Sequence, residues 1–558
     1  MATSKNRAGF DPHAAVTALR NIYVDARNAI SEVLPGDRPA WVVLELEGSF
    51  PARARRRKLL PMPTDAVRPP EVSLEAFERR VSLLAATPWL EGVVLRFGDL
   101  HVDPTTAAAL RNQLDVLKRA GKRVMAFATQ LDTTKYSLAC GADEIVTPES
   151  AEFFVHGFAL RTTFMGEALS RVGVAFDKLA IAEFKNAGDQ FARQEMSDAQ
   201  RLQYDAFLDR IEQSFVDTVA QARKVEPDTV RGWLDAGVTS ARQARDLGMI
   251  DRVAYEDESL DRRSRPLAEA VRFVQLRRAD VSKGRVAVVS LQGTIVTGKS
   301  SRSPLPIPIV GETAGSETLQ RALRAADKDP STKAIVFHVD SGGGSALASD
   351  LIWREVVRIG AKKPIVAVMG SVAASGGYYV LTHAKRVIAA PTTLTGSIGV
   401  LAAKFVTSEL NAKVGFHPEV LQRGRFANAF GTDHAFDDEE RAHLQRYIEE
   451  VYERFTTRVA EGRGLALEKV REIGKGRIWS GVDALELGLV DELGDVALAV
   501  TRAKEMAGLP EDAPTWNVDV TPRMLLPAQD DPTTVLRTLA PLLRERALLL
   551  HPVEVRVR

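Results

Sequence analysis

The chain has almost no cysteine: Cys140 stands alone among 558 residues. This excludes an intrachain disulfide framework and fits a reducing compartment. Cys140 lies in an apolar stretch, the setting of a buried structural thiol and not of a nucleophile. Net charge is also missing. With 74 basic residues against 73 acidic ones, no overall field draws the protein to nucleic acid. The N-terminus carries Lys5, Arg7, Asp11 and Arg20 with no apolar run between them, so neither a signal peptide nor an amino-terminal anchor is expected. The longest uncharged run, Pro364 to Thr382, is weakly apolar at its centre. A strand, a turn and a buried helix are expected there, not a membrane span. These absences predict a cytoplasmic protein or one peripheral at the cytoplasmic membrane. The basic run Arg53-Ala54-Arg55-Arg56-Arg57-Lys58 offers a peripheral contact with anionic lipid, although a solvated loop is the simpler reading.

What the chain does have is an internal repeat. Glu183-Phe184-Lys185-Asn186-Ala187 returns as Arg425-Phe426-Ala427-Asn428-Ala429, and Val93-Val94-Leu95 as Ile335-Val336-Phe337. Further on, Asp246-Leu247-Gly248-Met249-Ile250-Asp251 answers Glu486-Leu487-Gly488-Leu489-Val490-Asp491. Copies of this length form a duplicated domain and not a solenoid. Within each copy, short β-branched runs alternate with segments of helical period, the pattern of an α/β fold with parallel strands. Strands are expected at Val286 to Leu291, Ala334 to Val339, Ile365 to Met369 and Arg386 to Ala389. Helices are expected at Leu347 to Ile359, near Ser375 to Thr382, at Asp437 to Arg463 and at about Ser197 to Arg223. The resulting division is an N-terminal extension 1–38, a first repeat 39–261, a linker 262–282, a second repeat 283–508 and a tail 509–558. In that tail, Val535 to Leu550 is rich in leucine with Arg537, Arg544 and Arg546, and Pro541 interrupts it. A membrane surface, the protein itself and a partner subunit are all open as its resting place.

The repeat also singles out chemistry. Lys185 faces Ala427 in the other copy, and Ser375 faces Thr133, where the paired glycines of Ser375-Gly376-Gly377 are gone. Each half keeps one member of a nucleophile and base pair, so one active site is assembled across the chain. Ser375 follows a strand and opens a helix, where free amides favour developing negative charge, and Gly376 supplies the amide next to it. A second turn, Asp340-Ser341-Gly342-Gly343-Gly344-Ser345, follows the preceding strand, and Gly343 or Gly344 is the candidate second donor to an oxyanion. No Gly-Lys-Ser/Thr follows the triple glycine, which removes a P-loop, and no GxGxxG follows a first strand. Lys185 can act as base only when neutral. Bringing a lysine from about 10.4 towards 8 takes roughly 3 kcal/mol of differential desolvation or charge interaction, for which Phe184, Ala187 and Phe191 are the apolar neighbours.

These residues resemble the signal peptide peptidase A family of the long, duplicated type, over about residues 40 to 505. The resemblance rests on Met369 to Tyr379, on Pro391-Thr392-Thr393-Leu394-Thr395-Gly396-Ser397-Ile398-Gly399-Val400, and on Phe184-Lys185-Asn186-Ala187 followed by Met196-Ser197. It implies two tandem crotonase/Clp-protease-like domains and a Ser375–Lys185 dyad in which Ser397 helps hold the amine. It further implies a serine endopeptidase that degrades apolar peptides, such as signal-peptide remnants, through an acyl-enzyme. A homotetramer is implied as well, with no cofactor and no metal. The family's proline in the glycine turn is Gly342 here, and Asp340 replaces its asparagine. Two alternatives stand beside this reading. One is a crotonase-type acyl-CoA enzyme, with Asp340 as its candidate carboxylate. The other is a catalytically inactive scaffold of the same fold.

Overall fold

The computed structural model describes residues 12–33, 38–53, 72–260, 263–276, 278, 284–302, 312–518, 520, 523–524 and 548–550. Two sheets share one order of six parallel strands. In the first half, Ser264–Pro266, Trp41–Gly48, Gly92–Leu100, Arg123–Ala128, Glu144–Thr147 and Arg252–Val253 lie side by side. In the second, Thr515–Asn517, Arg285–Gln292, Thr332–Ser341, Ile365–Ala374, Arg386–Ala389 and Glu492–Leu493 follow the same sequence of neighbours. The duplication read from the residues is therefore a duplication of topology. Two stretches expected as connectors take part in it. The segment 262–282 contributes Ser264–Pro266, and the tail contributes Thr515–Asn517, each pairing in parallel with the first strand of its own half.

Runs such as Val286 to Leu291 form central strands because both faces of a parallel sheet are covered by helices. Val286, Ala287, Val288, Val289 and Leu291 are all buried, with alternate residues in cores on opposite faces. The long helix Asp438–Arg463 starts on a capping box between Asp437 and Glu440 and ends at Gly464 in the left-handed region. Its counterpart Asp198–Arg223 starts on Ser197, whose hydroxyl accepts the Gln200 amide.

A third sheet joins the halves. Ala175–Ala180 of the first half runs antiparallel to Leu401–Val406 of the second, from Leu401 opposite Ala180 to Val406 opposite Ala175. Beside this seam, Tyr204, Phe207 and Ile211 of the first half pack on Ala374, Leu394 and Ile478 of the second. Burial of each large apolar side chain contributes on the order of 2 kcal/mol. The flanking ion pair Arg210–Asp483, at 2.7 Å with Arg210 partly exposed, is worth less than about 1 kcal/mol. Apolar packing and the shared ladder hold the halves in register.

Among the described residues, no helix is long and apolar enough to cross a membrane. Of the basic run at 53–58 only Arg53 lies within the described residues, where it pairs with Glu75 at 2.9 Å. Cys140 is buried, and burial pushes its thiol up to about 12.

Candidate active site

Ser375 ends the strand Ile365–Ala374. The expected turn after Met369 is instead more strand, which changes partner part-way: Val366 to Val368 pair with Arg386–Ala389, and Val372 to Ala374 with Leu394–Gly396. The change occurs at Gly370, where a β-carbon would lie 2.6 Å from the Asp340 carboxyl carbon. Asp340 holds the break by accepting the Val372 amide on Oδ1 at 3.2 Å, and burial pushes its carboxyl up to about 6. Small residues thus let the strand bend without ending it.

Ser375 itself has φ of 55° and ψ of −115°, a conformation that costs a non-glycine residue on the order of 1–3 kcal/mol. The neighbours impose it. Its amide donates to Gly396 O at 2.8 Å, and its carbonyl accepts the Tyr379 amide at 2.9 Å at the start of the helix Gly376–Tyr379. Gly377 has no room for a side chain, since a β-carbon would meet Ser341 O at 2.3 Å.

Lys185 arrives from the other half. The seam strand Ala175–Ala180 delivers the arm, Ile181 N donates to Val400 O at 2.9 Å, and Phe184 N donates to Lys475 O at 3.1 Å. The Lys185 amine nitrogen lies 2.7 Å from Ser375 Oγ and donates to Ser397 O at 3.0 Å and Ser397 Oγ at 3.1 Å. Lys185 is only 2% exposed. Burial, and secondarily the charge of Lys178, hold its pKa well below the ordinary lysine value. The residues expected as nucleophile, base and positioner are therefore together in space, although they lie up to 212 positions apart in sequence.

The glycine turn reaches the same place. A β-carbon on Gly376 would come within 3.2 Å of Gly343 Cα and Gly344 N, so only glycine allows this approach. The Gly343 amide donates to Ser341 Oγ at 3.1 Å, and Gly344 pairs with Ile295. Gly376 opens its helix, where first-turn amides have no intrahelical acceptor, and is the better placed of the two donors.

The first half shows the converse arrangement. Thr133 opens the helix Thr133–Ala139, but its hydroxyl is spent on Gly157 O at 3.1 Å, and Ala427 lies at the surface. Among the described residues, no group of three or more His, Cys, Asp and Glu is placed to hold a metal ion.

Several supporting residues gave no sequence signal beyond their neighbourhood. Gln203 donates to Asn186 Oδ1 at 2.6 Å and Phe184 O at 3.2 Å, and accepts the Ile478 amide at 3.1 Å. One side chain thus ties the lysine loop to the second half. Gly476 lies against Lys185, where a β-carbon would be 2.6 Å from its amide nitrogen. Phe191, expected beside the lysine, packs with Phe176 and Phe405 on the seam. Lys178 pairs with Asp189 and also donates to Lys185 O at 3.3 Å. Since its positive charge favours neutral Lys185, Lys178→Met is expected to raise the pH at which the base loses its proton. The acid limb of kcat/KM should shift to higher pH. An unmoved limb would show that burial alone sets the base.

The sequence model described as peptidase family S49 matches residues 116–269 and 358–510, one segment in each half. The chain belongs to peptidase family S49. This is a family of serine-type endopeptidases, and the duplicated α/β architecture is that of this S49 peptidase. It is 29% identical over 459 residues to "Serine protease SPPA, chloroplastic" of Arabidopsis thaliana, an alignment that spans 79% of this chain and 66% of that protein. To "Protease 4" of Haemophilus influenzae it is 30% identical over 464 residues, or 78% and 73% of the two chains. To "Protease 4" of Salmonella typhi it is 29% identical over 466 residues, or 80% and 72%. Among solved structures, a point mutant of ClpP1 from Listeria monocytogenes matches 39% of this chain and 96% of its own, at 16% identity and a TM-score of 0.25.

Proposed function

We propose that this S49 peptidase hydrolyses extended apolar peptides, including cleaved signal peptides, with a Ser375–Lys185 dyad. One observation carries the reading: a buried amine lies 2.7 Å from the hydroxyl of a serine held in a strained strand-to-helix turn. With Lys185 neutral, the Ser375 hydroxyl donates to Nζ, and Oγ attacks the scissile carbonyl as the proton passes to the lysine. The Gly376 amide, joined by that of Gly343 when Ser341 Oγ releases it, stabilises the developing oxyanion. Lys185 returns the proton to the leaving amine. Water then attacks the ester by the same route. Ser397 accepts two N–H bonds from Nζ so that the lone pair of the neutral amine faces Ser375, and desolvation of the site favours that neutral form.

An activated ester of a leucine-rich peptide, quenched within the first turnover, is expected to leave its acyl group on Ser375, as read by peptide mass mapping. Acyl transfer to coenzyme A without peptide hydrolysis would favour the acyl-CoA alternative. Asp340, its candidate carboxylate, is already committed to the Val372 amide.

Assembly into a homotetramer is part of the same proposal. Leu179 is 9% exposed where its strand meets Leu401–Val406, but its repeat counterpart Leu421 is 95% exposed. Among the described residues, 417–422 belongs to no sheet, and 159–164, the counterpart of the other seam strand, has only a single bridge at Leu160, whose side chain packs beside the seam cluster. Pairing 417–422 of one copy with 159–164 of the next repeats the internal seam, with Leu421 opposite Leu160. Such head-to-tail contacts close into rings, and four copies is the number the family resemblance implies. Leu421→Asp is expected to lower the mass seen by sedimentation; an unchanged mass would remove this interface.

A further inference from the structure

The first half keeps a cavity where the second half is filled. Around the nucleophile's helix the two copies match residue by residue. The Tyr136 hydroxyl donates to Met249 O at 2.8 Å as Tyr378 does to Leu489 O at 2.8 Å, and Arg223 pairs with Asp251 as Arg463 does with Asp491. In the same register, Asp350, Trp353, Tyr379 and Arg458 of the second half stand where the first has Ala108, Arg111, Ser137 and Thr218. The second-half set closes on itself. The Trp353 and Tyr379 rings meet edge to face at 6.2 Å, the Arg458 guanidinium lies 4.0 Å from the Trp353 ring centroid, and the Tyr379 hydroxyl donates to Asp350 Oδ1 at 2.6 Å. The first-half set instead leaves a half-open cavity of about 60 Å³, with Arg111, Ser137 and Thr218 facing the apolar side chains of Phe158, Ile211 and Phe215. Pro391 and Thr392 of the second half complete the lining, with Thr392 Oγ1 3.1 Å from Thr105 Oγ1.

Charge selects what fits there. Arg111 is the one charged residue in the lining. Its guanidinium reaches Ser137 Oγ at a long 3.4 Å, and among the described residues no carboxylate lies within ion-pair distance of it. Asp115, one turn along the same helix, is paired with Lys118 at 3.2 Å. A half-buried cation beside an apolar wall is costly without a counter-charge. We propose that this cavity is a second ligand site of the enzyme, taking a small monocarboxylate with a branched apolar body. The carboxylate pairs with Arg111 beside the Ser137 hydroxyl, and the body packs on Phe158, Ile211 and Phe215. The ligand thus supplies what the first half lost, a carboxylate where Ala108 replaces Asp350 and an apolar body where Ser137 replaces Tyr379. The volume is the share of about two water molecules, which suits roughly three to five carbons with the open side left for any remainder. A free short-chain acid and the C-terminal valine or leucine of a cleaved apolar peptide offer this same chemistry. The site does not depend on the dyad reading, since neither Ser375 nor Lys185 lines it.

The test uses the full-length protein and 3-methylbutanoate as the probe, read by titration calorimetry. A Kd on the order of 1 mM is expected, ordinary for so few atoms. 3-Methylbutanamide has the same shape without the charge and is expected to bind at least about tenfold more weakly. Arg111→Met keeps an aliphatic stem against Gly141 but loses the guanidinium. It is expected to weaken the acid by about tenfold or more, and Arg111→Lys to recover part of the loss. Ser137→Tyr brings in the side chain that fills this place in the second half, so it should abolish binding at unchanged peptide turnover. Acetyl-alanyl-valine separates the two sources, counting only binding that Arg111→Met weakens. Tighter binding than 3-methylbutanoate would support the site and identify a peptide end as its ligand, and weaker binding would support it and identify a free acid. No saturable binding of either acid would overturn the proposal. An amide that binds as well as the acid would overturn it too, as would an Arg111→Met protein that binds the acid as wild type does.

Discussion

Ser375→Ala is expected to reduce peptide turnover on the order of 10⁴-fold or more while leaving the melting temperature essentially unchanged. The substitution removes one oxygen from a packed site and keeps the same strained backbone, so it opens no sizeable void. Lys185→Met, similar in length and uncharged, is expected to cost nearly as much. The double variant should be little worse than either single one, because members of one catalytic unit are strongly non-additive. Lys185→Arg should fail as well, since a guanidinium does not give up its proton near neutrality. Additive losses in the double variant would show that Lys185 serves only packing. The pH profile supplies an independent check. A lysine whose pKa is depressed by burial is neutral at lower pH than an exposed one. Turnover should therefore rise with pH and level off well below the ordinary lysine value, then disappear in Lys185→Met.

The second large effect is expected from dividing the chain. A fragment of residues 283–558 keeps Ser375, Gly376 and the glycine turn but loses Lys185, and with it Ala175–Ala180 from the edge of Leu401–Val406. Without the base, turnover is expected to fall by roughly 10²–10⁴. Its own copy of the lysine loop offers Ala427, which lies at the surface. Co-expression with residues 1–276 is expected to restore part of the activity through the seam of Tyr204, Phe207 and Ile211 on Ala374, Leu394 and Ile478. Circular dichroism establishes whether the fragment is folded. A folded fragment as fast as the full chain would place the base within the second half and end the cross-half assignment.

Much of the architecture was legible because repetition amplifies weak signals. Val286 to Leu291, Arg386 to Ala389 and Asp437 to Arg463 each carry a period that local structure obeys, and the structure assigns 285–292, 386–389 and 438–463 to these elements. The reading failed where packing overrides local preference. Gly370 to Ala374 looks like a turn, yet remains strand because Asp340 receives the Val372 amide and a new neighbour, Leu394–Gly396, takes up the ladder. The connectors 262–282 and 509–558 lacked a periodic signal for the opposite reason. Their strands of three residues, Ser264–Pro266 and Thr515–Asn517, are too short to show one and exist only because a sheet edge is there to bind them.

The sequence by itself determined the duplication and the α/β class, and it singled out Ser375 and Lys185 as candidates, because Thr133 and Ala427 stand in their places in the opposite copies. Only the tertiary structure decided that these two side chains meet, that Gln203 and Gly476 clamp the lysine loop, and that Leu548–Leu550 lies between Gly343–Ser345 and Leu401–Val406. The physical reason is range. Strand and helix periods are set by neighbours a few residues apart, whereas burial that lowers the pKa of an amine, or a short strand paired between two distant ones, arises from surfaces brought together across the whole chain.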